Sequence, residues 1–489
     1  MAQATLDSGP DLKIVVIDDD PTGSQTVHGC PLLLRWDAGT LAAGLAHPSP
    51  LLFLLANTRA LAPAAAAERV REICRALRPA LEEAVACGRI ADWLVVSRGD
   101  STLRGHFPLE VDVINEELGP FDATLLVPAF LEGGRTTVDG VHLLQGRPVH
   151  ESPFASDGLF GYTSSYLPDW VEEKSGGRIP AAAVERIGWQ EMEAGAERAD
   201  GGSSEGFVAL CGRLAALQVN RLLVVDAERP RQLAALGAAM RELMAPASAA
   251  PWGRPRRFLC QSAASLLNGL VELPPQPLDA AGLAGLRRRD GTGALPGMVL
   301  VGSHVPLADA QLEELLRETA CTVVELPVPR LSRVLEGPEP RLLLASLERQ
   351  WQDQLGAVLD AGRTPVLTTS RGELVCAGAN ERRRLGEALA ALMARLAAAE
   401  AYRLGYVISK GGITTDAFLR QGLGLAAVEL QGQLLPGLSL VLTPDAAPVP
   451  RLPILTFPGN LGDAGTLRKA WRWMDGGPDH PARVSETVS

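Results

Sequence analysis

Three carboxylates, Asp18, Asp19 and Asp20, stand side by side and run straight into Pro21-Thr22-Gly23. Pro fixes φ and Gly admits positive φ, so the carboxylates lie on a turn. Such a group can accept a proton or hold hydroxyls, or it can be a plain solvated turn. A second polar stretch is Ser97-Arg98-Gly99-Asp100-Ser101-Thr102-Leu103-Arg104-Gly105-His106. Its Arg guanidinium forks match a carboxylate or phosphate in bidentate fashion. Asp100 and the hydroxyls can bond to substrate hydroxyls, so the stretch suits a small polyhydroxylated anion. The plain alternative is a surface loop in which Ser101 or Thr102 caps a helix. A third polar cluster spans residues 128–137 and carries Glu132, Gly133, Gly134 and Arg135.

The second half offers a different chemistry. Gly302-Ser303-His304, Lys410-Gly411-Gly412-Ile413-Thr414-Thr415-Asp416 and Pro458-Gly459-Asn460-Leu461-Gly462-Asp463 each follow an apolar run. A Gly pair between strand and helix lets backbone N–H groups approach phosphate oxygens. The three loops together look like a nucleotide cradle, although Thr414 or Thr415 alone reads equally as an N-cap. The chain has no G-x-x-x-x-G-K-[ST] motif and is therefore not a P-loop NTPase. The triple Gly422, Gly424, Ala427 loosely fits a dinucleotide fingerprint, but it follows a helical pattern instead of a strand. The seven His show no zinc-protease spacing and there is no G-x-S-x-G elbow, so no metal-ligating residue is assigned. Arg98-Gly99-Asp100 matches an adhesion tripeptide by chance.

Elements that would position these residues are legible in the pattern. Apolar runs at 14–17, 51–55, 94–96, 124–127 and 222–225 alternate with helical stretches such as 64–86, the signature of α/β architecture. Each polar loop of the first half follows one of these strands, where the ligand crevice of an open α/β sheet lies. The segment 153–177, with its Gly, Ser and Pro, reads as irregular. Pro, Gly and clustered Arg over 274–297 suggest an exposed linker. The alternation resumes with strands at 298–301, 321–326, 365–368, 406–409, 427–429, 439–442 and 454–457, and with helices at 340–360, 382–404 and 416–421. The expected division is an N-terminal domain over 1–273, the linker, a C-terminal domain over 298–475 and a flexible tail over 476–489.

Composition narrows the class. A 489-residue chain with 46% apolar and 21% charged residues is long enough for two or three cored domains. A net charge of −11 and 4% aromatics argue against a nucleic-acid partner. No apolar run reaches membrane-spanning length, and the first residues are polar and acidic, not leader-like. Seven scattered cysteines without a C-x-x-C pair fit a reduced, cytoplasmic protein.

Taken in order, Asp19-Asp20-Pro21-Thr22-Gly23, Asp100-Ser101-Thr102-Leu103-Arg104-Gly105, Gly302-Ser303, Ser409-Lys410-Gly411-Gly412-Ile413-Thr414 and Phe457-Pro458-Gly459-Asn460 form a series that resembles the four-carbon acid sugar kinase family. The resemblance extends from Ile14 to Trp473. It implies two α/β domains, each with a largely parallel sheet flanked by helices: a sugar-acid-binding domain and a nucleotide-binding domain, with the active site in the cleft between them. It also implies transfer of the γ-phosphoryl group of ATP, with Mg²⁺, to a hydroxyl of threonate, erythronate or 3-oxo-tetronate. By motif, Ser303, Gly411, Gly412, Ile413, Thr414 and Gly459 would contact ATP. Asp19, Asp20, Arg98, Asp100, Ser101 and Arg104 would line the sugar-acid side, with Thr22 beside them. The chain departs from the family pattern at Arg98, where Lys is commoner, and at His106, where Asn is.

Phosphoryl transfer needs in-line positioning, charge neutralisation and an acceptor for the hydroxyl proton. Arg98 and Arg104 are expected to grip the carboxylate, and Asp20, or failing it Asp19 or Asp100, to take the proton. Lys410 is expected near the phosphates. Two other classes remain open at this point: a catalytically silent ATP- or sugar-acid-binding regulator, and an NAD-dependent dehydrogenase using Gly422–Ala427. A homodimer is left open.

Overall fold

β-Branched and leucine-rich runs without polar alternation must be covered on both faces, and each becomes a parallel strand. The computed structural model of the chain describes residues 12–24, 26–197, 205–245, 249–336, 340–372 and 379–476. These fall into two compact units that divide between Pro275 and Gln276.

The first unit contains β1 (Leu12–Asp18), β2 (Cys30–Leu33), β3 (Leu51–Leu55), β4 (Asp92–Arg98) and β5 (Ala123–Val127). A small antiparallel sheet follows, β6 (Arg135–Val138), β7 (Val141–Leu144) and β8 (Arg147–Pro148), and then β9 (Glu185–Ile187), β10 (Arg221–Val225) and β11 (Phe258–Ser262). The main sheet runs in the order β2-β3-β1-β4-β11-β5-β10-β9, and every pairing within it is parallel. At its centre Val15, Val16, Val95 and Leu259 are fully buried. Because β1, β3, β4, β5 and β11 are parallel neighbours, their carboxyl ends share one edge. Asp18 sits in register with Leu55 and Arg98, and Ser262 with Arg98 and Val127.

The segment expected to be irregular is partly ordered into 3₁₀ turns and the helix Leu167–Lys174, which buries Trp170 against Phe107 with ring centroids 4.7 Å apart. Part of the expected linker is also structured. The short hairpin of β12 (Arg289–Asp290) and β13 (Gly293–Ala294) and the helix Ala280–Ala284 belong to the second unit, and Leu283 lies in its core. Arg287 anchors this piece by bridging Asp475 at 3.0 Å and stacking on Tyr406. A Pro- and Arg-rich composition reads as a linker, yet the apolar Leu283 and Ala284 suffice to dock it.

The second unit holds β14 (Gly297–Val301), β15 (Cys321–Leu326), β16 (Thr364–Thr369), β17 (Tyr406–Lys410), β18 (Ala427–Leu435), β19 (Leu438–Leu442) and β20 (Pro453–Phe457). Its order is β15-β16-β14-β17-β20-β19-β18. The pairings from β15 to β20 are parallel, and β20-β19-β18 are antiparallel. Strand β18 alternates buried and half-buried residues, as a strand with one covered face does. The expected tail lies outside the described residues from 477 onward. No helix among the described residues is long and apolar enough to cross a membrane.

Candidate active site

Strand β1 delivers Asp18, Asp19 and Asp20 to the shared edge, and the turn after it is tied by Gly23 N donating to Asp20 O at 2.9 Å. Thr22 donates to Asp20 Oδ1 through its backbone N (2.7 Å) and its hydroxyl (2.5 Å). A side chain at position 23 would meet Asp18 Oδ1 at 2.2 Å and Arg98 Nη1 at 2.3 Å, so only Gly lets the turn fold over this pair.

The counter-charges come from two neighbouring strands. Arg98, at the end of β4, is 5% exposed and sets Nη1 3.4 Å from Asp18 Oδ1 and 3.9 Å from Asp19 Oδ1. Arg59, in the turn Thr58–Ala60 after β3, grips Asp19 with two bonds of 3.0 and 2.7 Å and lies 3.4 Å from Asp20. Sequence reasoning missed Arg59. Its signal was a fourth polar turn after an apolar strand. His106 explains how that turn is held: its Nε2 bonds to Thr58 O at 3.1 Å and Leu61 O at 3.0 Å, on either side of Arg59. Two carbonyl partners fix the proton on Nε2, and burial lowers the ring's pKa, so it acts as a neutral brace.

Burial pushes Asp18 up to about 7 against the pull of Arg98, and raises Asp19 against Arg59. Burial also acts to raise Asp20 and Asp100, but cations and hydrogen bonds outweigh it and both are lowered: Arg59 and Thr22 act on Asp20, and Arg59, Arg104 and Thr102 on Asp100. Arg104 Nε donates to Asp100 Oδ2 at 2.7 Å, Thr102 bonds to the same oxygen, and the Arg104 guanidinium lies over Phe154. Ser101 is buried, and its carbonyl accepts from His142 Nε2 at 2.8 Å. The Arg98-Gly99-Asp100 tripeptide is thus inside the fold, where no adhesion receptor reaches it. From the third polar cluster, Arg135 is close enough to Asp100 and Arg104 for their charges to act on it.

A recess of about 370 Å³, including open solvent, lies among these groups. Asp19, Asp100, Arg104 and His106 line it, with Leu103, Leu126 and Phe107 as an apolar wall. Glu110, in the first turn of the helix Leu109–Leu118, also faces it; burial and the charge of Asp19 raise its pKa to about 8.

In the second unit the loops after β14, β17 and β20 converge. Gly411 has φ of 117°, which a side chain rarely adopts, and its N donates to Phe457 O at 2.9 Å. A Cβ on Gly302 would lie 1.9 Å from Thr414 Oγ1, and one on Gly459 2.7 Å from Ser303 Oγ. The helix here is Gly412–Ala417, four residues earlier than expected, and continues into a π-turn, Phe418–Gly422. Thr414 and Thr415 therefore sit inside it and neither is an N-cap; Gly411 takes that position. Thr415 satisfies its hydroxyl on Ser409 Oγ and Gly411 O, both at 2.9 Å. Lys410 is buried, with Nζ 3.1 Å from both Pro458 O and Gly459 O and 4.1 Å from the Phe457 ring centroid. Burial, helped by Arg371, lowers it to about 7.

Two supporting residues, Arg371 and Gln311, escaped the sequence reading; His304 did not. Arg371, just after β16, donates to Ser303 O at 2.6 Å and to Thr368 Oγ1 at 3.1 Å. Gln311 holds Leu461 O and Asp463 O at 2.9 and 2.7 Å. His304 pairs with Thr369 at 2.9 Å. Ile413 is 47% exposed, on the open side of the loop. Gly422 and Gly424 follow a helix and precede β18, the reverse of a dinucleotide fingerprint. Among the described residues no group of three or more His, Cys, Asp or Glu is placed to hold a metal ion.

Carboxylates and arginines at strand ends in one unit, and glycine loops at strand ends in the other, define a two-part α/β protein with a polar small-molecule site and a loop cradle. Residues 14–270 match the model of a sugar-binding N-terminal domain, and residues 298–467 that of a nucleotide-binding C-terminal domain. The chain belongs to the four-carbon acid sugar kinase family. It is 27% identical over 480 residues to a D-threonate kinase of Salmonella typhimurium, covering 95% of this chain and 99% of that one. It is 31% identical over 205 residues to a D-erythronate kinase of Heliobacterium modesticaldum, covering 39% and 43%. A solved Salmonella typhimurium structure shares the fold with a TM-score of 0.61 at 18% identity, over 94% of this chain and 98% of that one.

Proposed function

We propose that this protein is an ATP-dependent kinase that phosphorylates a hydroxyl of a small, four-carbon sugar acid such as threonate, erythronate or 3-oxo-tetronate. The observation that carries the reading is the cluster at the carboxyl ends of β1, β3 and β4, where Arg59, Arg98 and Arg104 are interleaved with Asp18, Asp19, Asp20 and Asp100. An anion bearing several hydroxyls matches that mixture of forks and acceptors. The named relatives support the reaction class.

Arg104, with Arg59 beside it, receives the acid's carboxylate, while Arg98 stays engaged with Asp18 and Asp19. Asp19 is the proton acceptor: it faces the recess and its raised pKa makes it more basic than Asp20 or Asp100. The acceptor oxygen forms a bond to the γ-phosphorus as the bond to the β,γ-bridging oxygen breaks, ADP leaves, and the hydroxyl proton passes to Asp19. Asp20, Asp100, Ser101 and Thr22 orient the acid and the carboxylates around it. ATP enters as its Mg²⁺ complex, and the metal offsets phosphate charge. Backbone groups of Ser303, Gly411, Gly412, Ile413, Thr414 and Gly459 cradle its phosphates. Lys410 shapes that cradle by holding Pro458 and Gly459.

The test is ATP-dependent ADP release against three- to six-carbon sugar acids, with each acid omitted as control. Release with a four-carbon acid is expected; ATP binding without release on any acid overturns the kinase reading. Asp19→Asn should lower kcat about 10²–10⁴-fold. Near-normal turnover in that variant would take the proton from Asp19 and give it to Asp20.

A further inference from the structure

Two residues that line the recess in the first unit carry buried polar atoms that no described residue satisfies. Buried side-chain polar atoms are almost always paired, so each exception asks for a partner. Of the recess-lining residues, Trp170 and Gln261 carry such atoms: indole Nε1 and carboxamide Oε1 have no partner among the described residues. Trp170 is 2% exposed, and its ring is fixed by stacking on Phe107 at 4.7 Å with 28° between planes. Gln261 is the next-to-last residue of β11 and is in register with Ser97, at the edge where the carboxylates emerge. Its carboxamide crosses Gly99 so closely that a Cβ there would lie 2.8 Å from Nε2, while Asp19 Oδ2 lies 3.9 Å from the same point. The amide thus lies over a glycine that makes room for it and lines the same recess as the carboxylate assigned as proton acceptor.

An indole N–H only donates; a carboxamide donates and accepts. Set against an apolar wall, such a pair complements hydroxyl groups on a short carbon chain. Carboxylates need only donors, and a phosphate gains nothing from an amide oxygen. We propose that Gln261 and Trp170 are specificity-determining residues that read substrate hydroxyls, so that the enzyme selects a polyhydroxylated acid over its deoxy analogues. The inference rests on the kinase reading above. A site built to bond a hydroxyl discriminates strongly against the analogue lacking it, because its own buried groups are then left unpaired.

The experiment measures kcat/KM for D-threonate, D-erythronate and their 2-, 3- and 4-deoxy forms in wild type, Gln261→Met and Trp170→Phe. Gln261→Met keeps the side-chain volume, whereas Trp170→Phe keeps an aromatic ring against Phe107 but removes part of the indole; the two lie on different elements, so loss of fold in one leaves the other informative. Melting temperature and ATP binding check that each variant is intact. Each variant should lose about ten- to a hundredfold on the preferred hydroxy acid and much less on one deoxy form, so that the ratio between them collapses. Wild-type turnover with ratios unchanged within twofold in both variants overturns the inference and leaves the kinase reading standing. A wild type silent on every acid overturns the kinase reading, and the inference falls with it.

Discussion

At the scale of single residues, the acid site is a case of carboxyl groups set apart by their surroundings. Asp18, Asp19 and Glu110 are raised because desolvation outweighs their cations, whereas Asp20 and Asp100 are lowered because Arg59, Arg104 and threonine hydroxyls reach them. At Glu110 burial and the charge of Asp19 outweigh the pull of Thr58 and Arg59 and raise the pKa from 4.5 to about 8. The folded state therefore binds a proton there that the unfolded chain has released. The stability this group contributes is full below about pH 4.5 and is lost as pH rises through about 8. Glu110→Gln removes the titration while keeping the shape. Denaturant unfolding between pH 5 and 9 should show the variant gaining on wild type as pH rises, by on the order of 2 kcal/mol at the upper end. Parallel stability profiles for the two proteins would show that Glu110 ionises freely in the fold.

At the scale of elements, the logic is that parallel strands empty their loops at one edge. That much could be read from the sequence: unbroken apolar runs marked β1, β4, β5, β14, β17 and β20, and each is followed by the polar loop expected of it. What escaped was set by contacts distant in sequence. Arg59 stands in an unremarkable Asn-Thr-Arg-Ala turn and gains meaning only because β3 lies beside β1. Gln311 and Arg371 brace loops about 150 and 68 residues away, a relation no local pattern encodes. The glycines were legible as turns but not as close approaches. Gly302 faces the Thr414 hydroxyl at a distance no Cβ could occupy. Gly302→Ala should therefore displace the Gly412–Ala417 turn and weaken ATP binding at least tenfold by calorimetric titration. Adding Thr414→Ala removes the clashing hydroxyl and should restore part of the affinity. Unchanged ATP affinity in the single variant would detach the β14 loop from the nucleotide.

At the scale of the whole molecule, each unit carries its own core and its own polar loop cluster, so each proposed substrate should stabilise the unit that holds it. A ligand at a hundred times its Kd adds about 2.7 kcal/mol to the state that binds it. For units ending at Pro275 and beginning at Gln276, that moves each melting transition by about 5–6 °C. MgATP and D-threonate, each added alone to the full chain, are expected to produce separate upward shifts in differential scanning calorimetry. The two shifts should also respond to different substitutions. Gly302→Ala should reduce the MgATP shift and leave that of D-threonate, whereas Arg104→Met should do the reverse by removing a carboxylate fork. If Arg104→Met reduced the MgATP shift and left D-threonate untouched, the assignment of acid to the first unit and nucleotide to the second would be wrong, whatever the turnover assays gave.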